Sequence, residues 1–256
     1  MPRRAGLFLP RYTLLSMKNL FGNPRLLTVY SAVITLVFAV ILLGGFAAPR
    51  NTSFREITVQ RINIVEPDGT LRMVVSDKSL FPGIILKGKE HPHPNRKTAG
   101  MLFFNDEGTE NGGLTFDGKK DKDGQASSSG HLSFDEYEQD QVITIDASQQ
   151  GSRRTSAITM VDDPGFPIGD LIEVTDRIKD QPEEVKRNEI SKFMATHGRP
   201  HRRLYLGRGE DHSVALKLKD VEGRDRIVIE VAPDGAPAIR FLDESGAVIG
   251  QMPAKR

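Results

Sequence analysis

Acidic residues are concentrated in two short segments that hold the best candidates for catalysis. The first contains Asp106, Glu107 and Glu110, and the second contains Asp135. Two carboxylates within several ångströms of each other can catalyse hydrolysis by acid–base chemistry. The negative charge of one raises the pKa of the other, so that one can donate a proton while the other accepts one. Hairpin turns are also acidic for solubility alone, and the sequence does not pair these residues. A hydrolase that uses Asp106, Glu107 or Glu110 with Asp135 is therefore the alternative to a protein without catalytic activity.

A second acidic group has the composition of a calcium loop. Asp117, Asp121 and Asp123 precede a glycine, as the ligands of an EF-hand do. The EF-hand pattern fails, because Lys119 and Gly130 occupy positions 1 and 12, where acidic ligands are needed. A calcium ion that only stabilises this loop is a further, structural alternative.

His91 and His93 are candidate metal ligands, because alternate residues of an extended chain point the same way. The sequence identifies no third ligand, and the prolines at positions 92 and 94 indicate a stiff, exposed loop. We therefore expect neither a metal ion nor any other cofactor.

Several classes of active site are excluded by the residues that the sequence lacks. The chain has no cysteine, which excludes thiolate metal sites, haem attachment and cysteine nucleophiles. It has no G-x-S-x-G nucleophile motif, no phosphate-binding G-x-x-x-x-G-K-[ST] motif and no G-x-G-x-x-G motif before a helix. No motif in the sequence therefore defines an activity.

Residues 26–48, which begin with Leu26 and end with Ala48, contain no charged side chain. A helix of this length measures roughly 34 Å, enough to cross a hydrocarbon core of about 30 Å. The sequence therefore predicts a transmembrane helix over 26–48, after a basic segment over 1–25. A polar tether over 49–55 and a β-rich domain over 56–256 follow.

The charge distribution predicts the side of the membrane. Residues 1–55 hold seven Lys and Arg and no acidic residue, which favours a cytoplasmic N-terminus and an extracytoplasmic domain. The remaining 28 basic and 34 acidic residues give the domain a net charge of −6, which argues against nucleic acid as a partner. Two alternatives to the simple anchor stay open. The apolar segment can be a signal peptide cleaved after the small residues near Ala48, and the basic segment can form an amphipathic helix on the membrane.

One pattern recurs five times along the domain. It has the form apolar, any, apolar, any, acid or amide, any, any, Gly, and it occurs at residues 62–69, 101–108, 158–165, 216–223 and 239–246. Alternating apolar residues indicate a strand with one face on a core. The acid or amide and the glycine three positions later are typical of a type I turn followed by a bulge. The sequence therefore predicts a mainly β protein, with an antiparallel domain of repeated hairpins.

Two departures from this pattern are expected. Residues 117–130 are too polar to pack and are predicted to be a flexible hairpin tip. Residues 170–198 are predicted to form a small helical insert, in which Glu183 and Glu184 lie in the first turn of a helix that Gly198 ends.

Residues 100–116 resemble a group of uncharacterised bacterial proteins that a single helix anchors in the membrane, and so do residues 132–142. The resemblance covers most of residues 56–256. It implies a bacterial origin, and it implies no activity.

These observations together favour a membrane-anchored binding or scaffolding protein at the outer face of the cytoplasmic membrane. Its expected partner is a protein or another component of the cell envelope, because hairpin arrays offer broad faces and exposed edges. Such a binding protein should present a contiguous apolar or aromatic surface patch. The carboxylates of a hydrolase should instead meet in one concave pocket.

Overall fold

A computed structural model of the chain describes residues 24–46, 53–93 and 96–253. The chain divides into two compact units, Met1–Thr58 and Val59–Arg256. The predicted basic segment lies almost entirely outside the described residues, as do positions 47–52, which include the end of the predicted transmembrane segment and most of the tether.

The first unit contains helix α1, Pro24–Phe46. The helix has no acidic residue in its first turn and no basic residue in its last, and its length and composition are sufficient to cross a membrane. A signal sequence near an N-terminus meets the same criteria. The prediction of one apolar N-terminal helix is therefore confirmed, and the choice between anchor and signal sequence stays open.

The second unit is mainly β, as predicted, and its strands form an antiparallel sheet. Twelve strands pair in the order β1-β2-β5-β6-β7-β8-β9-β10-β11-β12-β13-β14, and β3 and β4 form a separate two-stranded sheet. The strands are β1 Arg61–Val65, β2 Leu71–Ser76, β3 Ile84–Leu86, β4 Lys89–His91, β5 Ala99–Phe104, β6 Glu110–Lys120, β7 Ala126–Asp135, β8 Gln141–Gln150, β9 Arg153–Asp162, β10 His201–Arg208, β11 Val214–Lys219, β12 Asp225–Val231, β13 Pro237–Leu242 and β14 Val248–Met252.

Two longer connections interrupt the otherwise tight turns of this meander. The β3–β4 hairpin lies between β2 and β5, and helices α2, Ile168–Ile178, and α3, Glu183–His197, lie between β9 and β10. The backbone N–H of Ile168 donates to the carbonyl of Glu138 at 2.7 Å, which ties the start of α2 to the turn between β7 and β8.

A small hydrophobic core forms where the β3–β4 hairpin covers one face of the sheet. Val74 of β2 with Leu102 and Phe104 of β5 pack with Ile85 of β3, and all four are buried. Val74 and Leu102 are register partners, so their side chains lie on the same face. We call this face the polar face, because beyond the hairpin it carries polar and charged residues.

The tight turns have a shared local geometry. In the turn after β13, Asp243 donates its N–H to the carbonyl of Ala247, and its Oδ1 accepts from the N–H groups of Ser245 and Ala247 at 2.9 Å. Gly246 adopts a φ of +83°, a left-handed conformation that glycine tolerates best. The turns after β5 and β11 repeat this arrangement around Asn105 and Asp220.

The prediction of a flexible tip over residues 117–130 is wrong in its extent. Strand β6 continues to Lys120 and β7 begins at Ala126, so that only a short turn joins them. Asp117 pairs with Ser129 in regular register. The polar composition does not prevent strand formation here, because the backbone hydrogen bonds of the ladder are independent of side-chain polarity.

Candidate functional site

The structure separates the four candidate catalytic carboxylates into two pairs. Asp106 and Glu107 lie in the exposed turn between β5 and β6. The Asp106 side chain is 95% exposed and pairs with Arg72, and Glu107 accepts a hydrogen bond from the hydroxyl of Tyr137 at 2.9 Å. Both residues are exposed, so this pair has the position expected of a solvated hairpin tip.

Glu110 lies at the start of β6 in a bidentate ion pair with Arg96. The Nη1 and Nη2 atoms of Arg96 lie 2.9 and 2.6 Å from the two carboxylate oxygens, and the two side chains are only 15% and 12% exposed. Nη1 of Arg96 also donates to the carbonyl of Gly83 at 2.8 Å. Such a two-pronged contact fixes both side chains and neutralises Glu110.

Asp135, at the end of the neighbouring strand β7, is the most perturbed carboxyl group of the cluster. Burial raises its pKa to about 7, and the negative charges of Glu110 and Asp140 act in the same direction. Arg96 opposes this shift. One carboxylate oxygen of Asp135 is buried without a hydrogen-bond partner. The structure thus brings Glu110 and Asp135 into electrostatic contact.

A cavity of about 210 Å³ lies beside these groups, on the polar face. Arg96, Glu110, His93 and Ser133 line it, and Asp135 does not. Burial lowers the pKa of His93, and the charge of Arg96 lowers it further. Of the candidate carboxylates only Glu110 reaches this cavity, and Arg96 already engages both of its oxygens.

The candidate metal ligands are dispersed. The carboxylate of Asp117 pairs with Lys78 at 3.2 Å, and that of Asp121 accepts the N–H groups of Asp123 and Gln125 in the β6–β7 turn. His91 lies at the end of β4, on the opposite side of a proline from His93. Within residues 24–46, 53–93 and 96–253, no three His, Asp or Glu side chains are placed to hold a metal ion.

A histidine that the sequence leaves isolated has a partner in the structure. His131 Nδ1 of β7 lies 2.6 Å from Asp146 Oδ1 of β8, and the Thr144 hydroxyl donates to the other oxygen of Asp146 at 2.6 Å. His131 and Asp146 are direct register partners. Finding this pair from sequence requires the strand register, which alternation alone does not fix.

The face of the sheet opposite to the polar face, which we call the apolar face, extends across all twelve strands. One register line crosses all twelve strands and places an apolar residue on each; we call it the central row. Its members are Ile62, Val75, Met101, Leu114, Leu132, Ile145, Ile158, Leu206, Leu216, Ile229, Ile239 and Met252.

A second register line, two residues away on each strand and always on the same side of the central row, continues the apolar face; we call it the second row. It consists of Ile64, Met73, Phe103, Gly112, Phe134, Ile143, Met160, Leu204, Leu218, Ile227, Phe241 and Gly250. Both rows are free of charged and polar side chains. They follow from the strict alternation of the strand sequences, because every second residue lies on the same face.

None of the 22 side chains in the two rows is buried among the residues that the structure describes. Ile145 in the middle of the sheet is 47% exposed, and Met252 at its edge is 55% exposed. A groove of about 560 Å³ follows the middle strands of this face and is lined by Leu114, Ile145, Ile158 and Leu206 among others. The alternation predicts that this face packs on a core. In the β-rich unit, however, the β3–β4 hairpin packs on the other face, against Val74 and Leu102. Helix α2 contacts this hairpin, where Asp176 lies 3.5 Å from His91.

No protein-family model matches this chain, and no curated protein matches its sequence. The resemblance to bacterial proteins anchored by a single helix therefore stays a prediction. The function has to be argued from the chain's own surfaces.

Proposed function

We propose that this protein is a membrane-anchored binding or scaffolding protein, whose β-rich domain lies outside the cytoplasm and uses its apolar face for docking. The observation that carries the proposal is the pair of uninterrupted apolar rows across twelve strands. Monomeric proteins rarely expose contiguous apolar patches larger than a few hundred Å². A surface of this extent costs free energy in water, at roughly 25 cal/mol per Å², until a partner covers it.

Membrane anchoring rests on helix α1, which has the length and the composition of a membrane span. The basic residues before it and the absence of any acidic residue before Glu56 favour a cytoplasmic N-terminus. The net charge of −6 over residues 56–256 suits a domain in an aqueous compartment and disfavours nucleic acid as its partner.

We infer that repetition of one hairpin unit builds the apolar face. Each copy of the repeated pattern contributes two apolar residues at fixed distance from its turn, so the copies bring equivalent positions into register. Ile62 and Ile64 hold these places in the first copy, and Ile239 and Phe241 hold them in the last. A shift of one residue in any strand would move its apolar residues to the other face.

A hydrolase is the second candidate, and the pKa of Asp135 near 7 favours it, because a protonated carboxyl can act as a general acid at neutral pH. The reaction needs a second carboxylate that is free to act as base or nucleophile. Glu110 is the candidate whose negative charge acts on Asp135. The ion pair of Glu110 with Arg96, however, occupies both of its carboxylate oxygens. We therefore rank the binding function first.

The docking function is tested with a photo-activated cross-linking residue in the full chain, in the membranes of the cells that express it. The residue is placed at Leu206 on the apolar face and, as a matched control, at Tyr205 on the polar face of the same strand. We expect cross-linked products from position 206 and none from position 205. Equal products from both positions, or none from position 206, would contradict docking on this face.

The topology is tested separately, with a reporter enzyme fused after the last residue, Arg256. We expect activity from a reporter that works only outside the cytoplasm. Activity from a reporter that works only in the cytoplasm would reverse the proposed orientation without affecting the docking function.

A further inference from the structure

We infer that the partner on the apolar face is a second copy of this chain, with the two sheets packed face to face about a two-fold axis that runs parallel to the central row and midway between the two rows. The inference rests on the proposed function, because it identifies the occupant of the docking surface. A two-fold interface uses the same surface on both partners, and each apolar row is of similar chemistry from one end to the other.

The size of the apolar face fits a stable dimer. Twelve strands about 4.8 Å apart, with two rows that each span about 7 Å of strand, outline a face of roughly 800 Å² on each sheet. Two such faces bury about 1,600 Å² together, which lies within the range of about 1,200–2,000 Å² for stable, specific interfaces. The side chains are mostly Ile, Leu, Val and Met with three Phe, a composition suited to the interior between two packed sheets about 10 Å apart.

The twist of the sheet determines how two copies can overlap. Neighbouring strands rotate by about 20–25° relative to each other, so twelve strands accumulate a large twist. Two such sheets stay in contact along their whole length only when they twist together around one common line. A two-fold axis parallel to the central row and midway between the two rows achieves this. It places each strand against the same strand of the partner, and the central row of each copy against the second row of the other.

The chemistry of the chain disfavours lipid as the occupant. Proteins that lie on a membrane surface carry aromatic residues at the interface and basic residues beside the apolar ones. This chain has no Trp and only four Tyr, and residues 56–256 carry a net charge of −6. An anchor in the membrane would also confine the copies near one another, which raises their effective concentration and favours self-association.

The absence of natural cysteine makes a direct test possible, because a single introduced thiol can be cross-linked only to another molecule. The full chain is expressed in membranes with Ile62→Cys, Ile145→Cys or Met252→Cys, which sample the two edges and the middle of the central row. Ser148→Cys is the matched control, on the exposed polar side of the same strand as Ile145. Each variant is treated with a short bis-maleimide and, in parallel, with a monofunctional maleimide.

We expect a band at twice the monomer mass for all three central-row variants and none for Ser148→Cys. Co-expressed copies with two different tags should both appear in that band. Cross-linking at Ile145→Cys without cross-linking at the two edges would overturn the lengthwise axis.

Two negative results separate this inference from the proposed function. If thiols on the central row resist the monofunctional reagent and give no dimer band, and if the two differently tagged copies also do not co-purify, another molecule covers this face. That result would overturn the second copy and leave the docking function standing. If these thiols instead react as fast as the thiol of Ser148→Cys and give no dimer, the apolar face is open to solvent. That result would overturn both the second copy and the docking function.

Discussion

Phe103 and Phe134 stack on each other across the strand that separates them. Their ring centroids lie 6.3 Å apart with an interplanar angle of 17°, although Phe103 belongs to β5 and Phe134 to β7. The residue between them in the second row is Gly112 of β6, which pairs with both. The missing side chain of Gly112 leaves the space that the two rings share, and the rings in turn bury the glycine.

Substitution Gly112→Ala should therefore destabilise the sheet severely. Gly112 has a φ of +127°, and an added Cβ would lie 2.3 Å from the carbonyl oxygen of Ser133. We expect the free energy of unfolding to fall by about 3 kcal/mol or more, from backbone strain and the forced separation of β6 and β7. Denaturant unfolding of the full chain in detergent, at fixed protein concentration, measures this change.

Gly130→Ala is the matched control, because Gly130 lies in the adjacent strand and has no heavy atom within 4 Å of the position of an added Cβ. Its free energy of unfolding should change by at most about 1 kcal/mol, in the stabilising direction, since alanine suits a strand better than glycine. Equal destabilisation by both substitutions would contradict the close packing at Gly112.

Arg96→Met tests the ion pair beneath the β3–β4 hairpin. The substitution leaves the carboxylate of Glu110, whose side chain is only 12% exposed, near Asp135 without its counter-charge. We expect a loss of about 2–4 kcal/mol in the free energy of unfolding, because an unpaired charge in such a place is costly. The pKa of Asp135 should also rise further, since Arg96 is the group that lowers it.

Lys78→Met provides the comparison, because Lys78 and its partner Asp117 form an exposed ion pair at 3.2 Å. Exposed pairs contribute little, so this variant should unfold like the parent. If Lys78→Met and Arg96→Met had the same effect, the Arg96–Glu110 pair would be no more than a surface contact.

The raised pKa of Asp135 predicts how stability depends on pH. Its ordinary pKa is 3.8 and its pKa in the folded protein is about 7, so the folded state binds more protons between these values. The contribution of Asp135 to stability is therefore present at low pH and is lost as the pH rises from about 4 to 7. Asp135→Asn removes this loss, and at pH 8 it should stabilise the protein by at most about 4 kcal/mol.

The measurement is the difference in free energy of unfolding between Asp135→Asn and the parent across pH 4–8. This difference should grow steadily toward neutral pH. Asp106→Asn, which changes a carboxylate that is 95% exposed, should show no such growth. If the difference in free energy of unfolding between Asp135→Asn and the parent did not change with pH, this carboxyl group would be ionised in the folded protein across the whole range of the measurement.

The part of the fold that follows from local sequence could be predicted. Alternation in segments such as residues 239–242 predicts strands, and the uncharged run after Leu26 predicts the apolar helix. Both follow from residues that are close in sequence. The ends of β6 at Lys120 and of β7 at Ala126 lie in a polar stretch and could not be predicted in this way. The hydrogen bonds that keep these residues in strands come from the partner strand.

The candidate site was less accessible to prediction. The sequence singles out Glu110 and Asp135, and their proximity follows from the pairing of β6 with β7. Arg96, which neutralises Glu110, lies in the β2–β5 connection, and no local pattern predicts where such a connection folds. The apolar face shows the same limit, since alternation predicts which residues share this face and does not predict what covers it.

The turn at Asp243 gives a last prediction, at the exposed edge of the sheet. Asp243 Oδ1 accepts hydrogen bonds from the N–H groups of Ser245 and Ala247 and from the Ser245 hydroxyl. The hydrogen bond from Ser245 lowers the pKa of Asp243 below its ordinary value of 3.8. Asp243→Ala removes all three acceptor contacts, so the amides of Ser245 and Ala247 should exchange with solvent faster at neutral pH.

Since its pKa is lowered, Asp243 stabilises the turn above pH 4 and loses this effect as the pH falls through its folded pKa. Hydrogen exchange followed by mass spectrometry should therefore show a difference between parent and Asp243→Ala that shrinks in acid. Glu244→Ala, in the same turn, should leave the exchange of β13 and β14 unchanged. Faster exchange in Glu244→Ala as well would mean that the carboxylate contacts of Asp243 do not hold this edge hairpin closed.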